Sequence, residues 1–298
     1  MSAQPFLPYG GQAVIEGVMM RGTRSMAVAV RAPDERIVVQ TRALGRLYQG
    51  RVSRTPFLRG LLGIWDALGL GWQSLSYSAN VAIGHEAQFE GPIAWGTMAV
   101  SLTFGLGLFL LAPAGLAQLG EHWLRLGALW SNLIEGGLRL AMVVGYLWLI
   151  GLMPDVKRLF GYHGAEHKTI HAFEAGAELT PRSVARFPLE HPRCGTAFLL
   201  TVVVFSIVLF ALLGPLPLWE RLGSRVLLIP LVAGVAFEYI RLTARHLDNP
   251  LVRLLIAPNL ALQRLTTREP DEHMLEVAIA AFQAMRAGES QTEGALVA

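Results

Sequence analysis

The sequence predicts a mainly α-helical, polytopic membrane protein with about four transmembrane helices, an interfacial amphipathic helix and a small cytoplasmic β-hairpin region. Of the 298 residues, 53% are hydrophobic and 16% are charged, and the mean hydropathy is +0.43. Soluble domains usually carry about 25% charged residues. The apolar residues are concentrated in long segments that are nearly free of charge. That distribution indicates a bilayer rather than a large soluble core.

Two further features of composition bear on the cellular location. The segment MSAQPFLPYGG lacks the basic region, apolar core and cleavage site of a signal peptide, so we expect membrane entry through an internal helix. The single cysteine, Cys194, excludes an intramolecular disulfide and fits a reducing compartment. The net charge is +3, but most arginines flank apolar segments, where they orient a membrane protein. The expected partner is therefore a lipid bilayer and not nucleic acid, and a homo-oligomer is an open alternative.

Four segments approach the roughly 20 apolar residues that a helix needs to cross the hydrocarbon layer. They lie within the predicted transmembrane region 92–241, at 92–118, 133–153, 196–214 and 225–241. The second contains Glu135 and Arg139, an i, i+4 pair that we expect close to the membrane interface. The fourth is short and contains Pro230 and Glu238.

The distribution of basic residues predicts the orientation. The loop 154–195 carries six lysines and arginines, whereas the loop 119–132 carries only Arg125. The positive-inside rule therefore places the long loop in the cytoplasm. With four spans, the arginine-rich regions at both termini lie on that same side. We expect a multi-pass protein of the cell (inner) membrane with cytoplasmic termini.

The N-terminal region, 1–56, contains a predicted β-hairpin at 24–42, where two β-prone segments flank a Pro-Asp-Glu turn. The preceding sequence, GGQAVIEGVMMRG, places Glu16 between glycines. It is interpreted either as a flexible loop or as a place where glycine permits unusual backbone angles or close approach by another chain.

Two amphipathic segments complete the pattern outside the spans. Region 57–91 has leucines and two tryptophans at helical spacing over 57–82, which predicts a helix that lies in the membrane interface or packs on the cytoplasmic module. Region 242–298 is predicted to be cytoplasmic and helical after Pro270. Its last segment, GESQTEGALVA, is predicted to be disordered.

A histidine-rich sequence, GYHGAEHKTIHAFEAGAEL, follows the second predicted span. If it is helical, the 3.6-residue period places four potential ligands within roughly 80° of arc, with Glu166 about 60° to one side. The four are His163, His167, His171 and Glu174. Histidines one turn apart can bind one ion, and carboxylates can add ligands or act as a base. The alternative is a polar juxtamembrane face whose histidines are solvated or bonded to backbone carbonyls.

The sequence HPRCG adds His191 and Cys194, which folding of the loop could bring back over this helix. Imidazole, carboxylate and thiolate together favour Zn²⁺, with Fe²⁺ or Mn²⁺ as alternatives if the thiolate is not a ligand. A lone cysteine is otherwise a small buried apolar residue. Glu238 either pairs with Arg241 or faces the same site, together with His246 or Asp248.

The spacing of His163, Glu166 and His167 also matches H-x-x-E-H, the zinc signature of inverzincin proteases, in which the glutamate activates water. Gly164 interrupts the motif, the loop is short, and a large protease domain is missing around it. A zinc protease is therefore the minority alternative.

Several blocks resemble one family. The blocks GGQAVIEGVMMRG, YHGAEHKTIHAFE, HPRCGTAFL, LQRLTTREP and EVAIAAF are similar to those of the DUF1385 or YqhQ-like family of bacterial and plastid membrane proteins, over nearly the whole chain. The resemblance implies an uncharacterised membrane protein that is a predicted metal-dependent enzyme. Its signature residues fall on Glu16, Arg21, His163, Glu166, His167, Lys168, Glu174, His191, Arg193 and Cys194, and His171 lies outside the pattern.

The function favoured by these residues is a metal-dependent hydrolase at the cytoplasmic membrane face, acting on a small-molecule or lipid-linked substrate. Glu166 would be the general base, and Lys168 or Arg193 would stabilise an anionic transition state. The alternative is a transporter or assembly factor with a structural metal site or a proton relay. Few charged residues lie deep in the predicted spans, which argues against an ion path through one monomer.

Overall fold

The computed structural model describes residues 9–45, 48, 50–52, 55–84, 91–125 and 127–297. Residues 1–8 of the predicted N-terminal region and Ala298 of the predicted tail lie outside these ranges. The described chain is mainly helical. Its helices are α1 Leu58–Ile83, α2 Gly91–Leu106, α3 Ala112–Leu124, α4 Ala128–Ile150, α5 Pro154–Glu174, α6 Pro181–Val184, α7 Gly195–Leu212, α8 Leu218–Leu227, α9 Ile229–Arg245, α10 Pro250–Thr266 and α11 Glu272–Val297.

The N-terminal strands of the described chain form a four-stranded antiparallel sheet in the order β1-β2-β3-β4. The strands are β1 Gly10–Val14, β2 Gly17–Arg21, β3 Ser25–Arg31 and β4 Ile37–Ala43. The predicted hairpin at 24–42 is confirmed as β3 and β4. The flexible-loop interpretation of GGQAVIEGVMMRG is wrong, because this sequence forms the β1–β2 hairpin. Glu16 lies in its turn with φ +50°, so the unusual backbone angle falls on the glutamate itself.

The sheet is the middle layer of three. On one face, Val18, Met20 and Ala29 pack with residues of α5 and α11, including Phe282. On the other face, Val14, Val28 and Val30 pack against Leu70 and Val81 of α1. The side chains of β2 and β3 therefore alternate between two cores, which explains why these two strands are nearly continuous apolar runs.

Three helical stretches of the described chain are long and apolar enough to cross a bilayer: Trp95–Glu121, Leu129–Ile150 and Gly195–Leu212. The first is continuous through a π-helical segment, Gly107–Leu111, that joins α2 to α3. A fourth span is present if α8 and α9, which meet at an angle of 43°, are counted as one. Pro230 lies at the start of α9, where the missing N–H is tolerated. The predicted fourth span is thus a bent pair rather than one helix.

The predicted disorder of the tail is wrong for the residues after Gly288 that the structure describes, because α11 continues to Val297. Glu289 accepts hydrogen bonds from the backbone N–H groups of Thr23 and Arg24, at 2.6 and 3.2 Å. The last helix is therefore fastened to the turn between β2 and β3.

The helix α1 turns polar side chains toward the protein. Arg59 forms an ion pair with Glu238 of α9, Asp66 pairs with Arg21 at 2.8 Å, and the Ser78 hydroxyl accepts from the Ile15 N–H at 3.2 Å. Its exposed side includes Leu58, Leu61, Trp65 and Leu68, of which Trp65 is 63% exposed. The helix packs on the sheet, as one alternative predicted. Its location in the membrane interface stays a prediction.

The pair of Glu135 and Arg139 belongs to a buried network, in which Arg221 and Arg225 of α8 also take part. Arg139, Arg221 and Arg225 each donate to the Glu135 carboxylate, at 2.7 to 3.0 Å. Each of the four residues is at most 3% exposed. The helical bundle therefore encloses more charge than the predicted spans indicated, because α8 brings two arginines back into it.

Candidate metal centre

The helix α5 carries the histidine row along the end of the bundle. Three residues separate α5 from the end of α4. The helix has Pro154 at its first position and Asp155 in its first turn, and both residue types favour a helix start. The start of α7, at Gly195, lies at the same end of the bundle because Cys194 contacts α5. The row is thus placed where α4 ends and α7 begins.

Residues 189–194 cross the histidine face of α5. The backbone carbonyl oxygens of Leu189 and Glu190 accept from ring nitrogens of His167 and His171, respectively. Gln263 of α10 fixes the same segment by bonding both the N–H and the C=O of His191, each at 2.8 Å. The loop therefore brings His191 and Cys194 back over the helix, as the sequence suggested.

The first ligand group consists of His163, His167 and Cys194, whose ligand atoms lie within 4.8 Å of one another. The Nδ1 atoms of His163 and His167 face the carbonyl oxygens of Thr266 and Leu189. A carbonyl can only accept, so each Nδ1 carries a proton, and in the neutral ring Nε2 is the nitrogen with the lone pair. Second partners of this kind orient metal-binding histidines in known sites.

The spacing of this group also suits a metal. The Cys194 Sγ atom lies 3.3 Å from the His163 Nε2 atom. Zinc bonds of about 2.0–2.1 Å to nitrogen and 2.3 Å to sulfur place tetrahedral ligand atoms roughly 3.3–3.6 Å apart. The donor atoms therefore need only small side-chain shifts to share one ion.

The second group consists of His171, Glu174 and His191, also within 4.8 Å. Here Nδ1 of His191 accepts from the Arg193 N–H at 3.3 Å, and burial lowers the pKa of His191 to about 3, so the ring is neutral. The Nε2 atom of His191 faces both the Glu174 carboxylate, at 3.8 Å, and the Arg193 guanidinium, at 3.5 Å. The Glu174 carboxylate also forms an ion pair with Arg193. This group suits a hydrogen-bonded tie better than a metal site.

The single face of five ligands that the helical period predicted is therefore divided along α5, and Glu166 stands beside the first group. Its carboxylate lies 3.8 Å from the His163 Nε2 atom and accepts from the backbone N–H of Gly11. Burial raises the pKa of the Glu166 carboxyl to about 7, although His163 and Gly11 oppose this effect. Gly11 of β1 is required for this approach, because a Cβ there would lie 2.8 Å from Glu166 Cγ.

The remaining predicted site residues lie away from the first group. The Lys168 ammonium donates to the Ala185 carbonyl and to Glu269, at 2.7 and 2.5 Å, so it holds α6 and the segment before α11 to α5. Arg193 is engaged with Glu174, as described above. In the structure, Lys168 therefore links neighbouring segments to α5 and does not lie beside Glu166.

Glu16, Arg21 and Glu238 join elements instead of entering the site. Glu16 pairs with Arg158 of α5 at 2.5 Å and accepts from the Tyr162 hydroxyl at 3.1 Å, and Arg158 lowers the pKa of Glu16. Arg21 and Glu238 bind α1, as described above. Arg241 interacts electrostatically with Glu238, as predicted, but the ion pair of Glu238 is formed with Arg59. The contacts described for Glu238 do not include a predicted metal ligand.

Sequence reasoning missed the residues that orient the histidines. Gln263 is fully buried, and Thr266 supplies the carbonyl for His163. Both lie in the block LQRLTTREP, about 100 residues after the ligands. The block was recognisable as a family signature, but its contacts depend on how α10 packs beside α7.

Comparisons with known proteins place the chain in a family. The model of the family "Protein of unknown function (DUF1385)" matches residues 55–287. The "Uncharacterized protein YqhQ" of Bacillus subtilis (strain 168) is 35% identical over 291 residues, which cover 92% of this chain and 91% of the relative. No solved structure matches the chain. On the extent of both matches, the chain belongs to the DUF1385 family.

Proposed function

We propose that this chain is a multi-pass protein of the cell membrane and a metal-dependent hydrolase, with one divalent ion held by His163, His167 and Cys194 at the cytoplasmic face. Its substrate is a small or lipid-linked molecule delivered from the membrane. The observation that carries the proposal is the pair of Nδ1 contacts to main-chain carbonyls, which turns the Nε2 atoms of two neutral histidines toward one thiol.

The membrane placement is supported by α1 as well as by the apolar helices. Helix α1 packs on the protein through Leu70, Val81 and its ion pairs, yet leaves Leu58, Leu61, Trp65 and Leu68 exposed on its other side, where a soluble helix would be polar. A helix with that arrangement is stable where its apolar side meets lipid. The basic residues of 154–195 favour the cytoplasmic side for α5.

The ligand set favours Zn²⁺, because thiolate and imidazole are its preferred donors. When bound, such an ion acts as a Lewis acid and activates water for hydrolysis. The Glu166 carboxylate lies beside the His163 Nε2 atom and is held by the Gly11 N–H, so it is placed to accept a proton from a water molecule at the site. The 189–194 segment covers the histidines and limits access from bulk water.

The proposal is tested by measuring the metal content of detergent-purified protein by inductively coupled plasma mass spectrometry. We expect about one ion per chain in the wild type and a small residual fraction in His163→Ala/His167→Ala, because both imidazole donors are lost. His171→Ala/Glu174→Gln should keep the ion, since the second group is not the metal site.

The matched control is His246→Ala/His273→Ala, which removes two exposed histidines outside both groups. Circular dichroism of each variant reports whether the fold is intact. If folded wild type contains no metal after incubation with Zn²⁺, Mn²⁺ and Fe²⁺, or if the second-group variant loses the ion instead, the proposed centre is wrong.

A second candidate function has its own observation. Cys194 is the N-cap residue of α7 and its Sγ accepts from the Thr196 N–H at 3.3 Å. With the His163 Nε2 atom at 3.3 Å and Thr266 orienting that ring, the arrangement is also that of a cysteine nucleophile, a histidine base and an orienting group. Metal ligation and nucleophilic catalysis by Cys194 exclude each other.

The two functions are separated by alkylation with iodoacetamide, which reports on Cys194 alone because the chain has one cysteine. For a metal ligand, we expect a chelator to raise the labelling rate of the purified protein by roughly tenfold, since bound thiolate is protected. If Cys194 is a nucleophile, the labelling rate should be the same with and without the chelator, and it should be lower in His163→Ala. Chelator-independent labelling would favour the second candidate.

A further inference from the structure

The helical bundle contains a cavity of about 290 Å³ close to the metal-binding residues. Its walls come from the α2 region, α4, α7 and α9, and they are apolar; the lining on α4 and α7 includes Val143, Tyr146, Leu147, Leu199, Val202, Val203 and Phe210. An apolar cavity of about 150 Å³ in a soluble protein stays dry and binds benzene. A cavity of this size and character is suited to hydrocarbon.

The cavity is elongated and one end approaches the site. Its lining on α7 runs from Leu199 to Phe210, which is roughly 16 Å at the helical rise of 1.5 Å per residue. Leu199 lies five residues after Cys194, or roughly 7 Å along the same helix. On α4 the corresponding end is marked by Leu147, close to where α5 begins.

Residues of the buried network line the other end of the cavity. Arg139 lines the cavity, but its guanidinium donates to Ser206, to Glu135 and to the Phe109 carbonyl of the π-helical segment, at 3.0, 2.7 and 3.2 Å. With its donors engaged, the side chain presents its apolar stem to the cavity. The far end is therefore a fixed wall, and a polar ligand group there would lose its hydrogen bonds.

We infer that this cavity holds the hydrocarbon tail of a single-chain or polyisoprenoid-like amphiphile whose polar head lies at the His163–Cys194 site. The inference rests on the proposed function, because it names the tail-bearing substrate class of that site. The membrane supplies such tails, the lining of the cavity on α7 begins five residues after Cys194, and Arg139 with its network lies at the other end of the lining, where it would limit the length of chain that enters.

The test uses palmitic acid with a diazirine near its terminal carbon, added to the full chain in nanodiscs of ordinary phosphatidylcholine and photolysed. Peptide mass spectrometry then locates the label. We expect labelling that saturates with probe and maps to the cavity side of α7, at Leu199, Val202 and Val203. If bulk phospholipid fills the cavity, the amount of label would instead rise in proportion to the probe concentration, which would overturn the inference. Labelling centred on the outward-facing Val204 and Val208 would also overturn it.

Two adjacent valines provide a matched pair of variants. Val203 is 4% exposed and lines the cavity, whereas Val204 is 42% exposed on the outer side of the same helix. We expect Val203→Phe to lower saturable labelling at Leu199 and Val202 by roughly tenfold and Val204→Phe to leave it unchanged. Equal labelling in both would overturn the inference. The metal content of the same samples is measured as well. Because labelling does not need the ion, loss of labelling with the metal retained would count against the cavity inference and not against the metal centre.

Discussion

A Glu135→Gln variant is expected to lose a large part of its stability. The carboxylate is 1% exposed and accepts hydrogen bonds from Arg139, Arg221 and Arg225. Glutamine keeps the size and a carbonyl acceptor but removes the charge that balances these guanidinium groups. Removing one partner of a buried ion pair costs about 3–5 kcal/mol, which is a large share of a typical stability of about 5–15 kcal/mol.

The measurement is the thermal midpoint of the detergent-solubilised protein, followed by fluorescence-detected size-exclusion chromatography. The control is Glu121→Gln, which removes another carboxylate bonded to Arg221, at 3.0 Å, from a side chain that is 25% exposed. We expect that control to cost at most about 1 kcal/mol, because water replaces a partly exposed ion pair. Equal midpoint shifts in the two variants would contradict a structural role for the buried charge balance.

A Gly164→Ala variant is expected to disturb the metal centre without altering any ligand. A Cβ at this position would lie 2.2 Å from the backbone oxygen of Arg268 and 2.8 Å from Leu189 Cδ2. The Arg268 N–H bonds to the Phe160 carbonyl at 2.9 Å, so this segment cannot move away from α5 without losing that bond. Forced overpacking typically costs about 1–3 kcal/mol. The shift would also separate His163 from the Thr266 carbonyl and weaken metal binding.

The matched control is Gly137→Ala in α4, where a Cβ would meet nothing within 4 Å. Alanine in a helix is favoured over glycine by up to about 1 kcal/mol, so this variant should be neutral or slightly stabilised. Metal content and thermal midpoint are measured for both variants. A fully loaded, unshifted Gly164→Ala protein would show that α5 and the 266–269 segment are not closely held.

Local patterns were sufficient for the apolar helices, the β3–β4 hairpin and the histidine row. Each depends on a period of 2 or 3.6 residues that the sequence carries directly. The division of the row into two groups could not be predicted in this way. It depends on the carbonyls of Leu189, Glu190 and Thr266, which contact the histidine rings, and on Gln263, which holds the backbone of His191. These contacts join residues about 20 to 100 positions apart in the sequence.

Three errors share a physical origin in long-range packing. One of the two interpretations of the first hairpin was a flexible loop; instead, Gly11 and Gly17 allow close approach of neighbouring strands, because a Cβ there would meet a backbone oxygen at 2.5 and 2.3 Å. The tail was predicted to be disordered because its polar composition did not reveal that Glu289 accepts hydrogen bonds from the turn between β2 and β3. The charge of the bundle was underestimated because Arg221 and Arg225 lie in a helix that bends back toward Glu135.

The fastening of α11 to the β2–β3 turn has a consequence for the order of biosynthesis. The sheet is translated before the helices of the apolar bundle, whereas α11, which covers one of its faces, is translated after them. Contacts separated by about 260 residues cannot form while the ribosome is still producing the middle of the chain. During translation of the bundle, the face of the sheet that α11 later covers therefore stays exposed. The layer that contains α5 is therefore completed late, so a chain truncated before α11 would leave the ribosome with its bundle made and the candidate site unsupported.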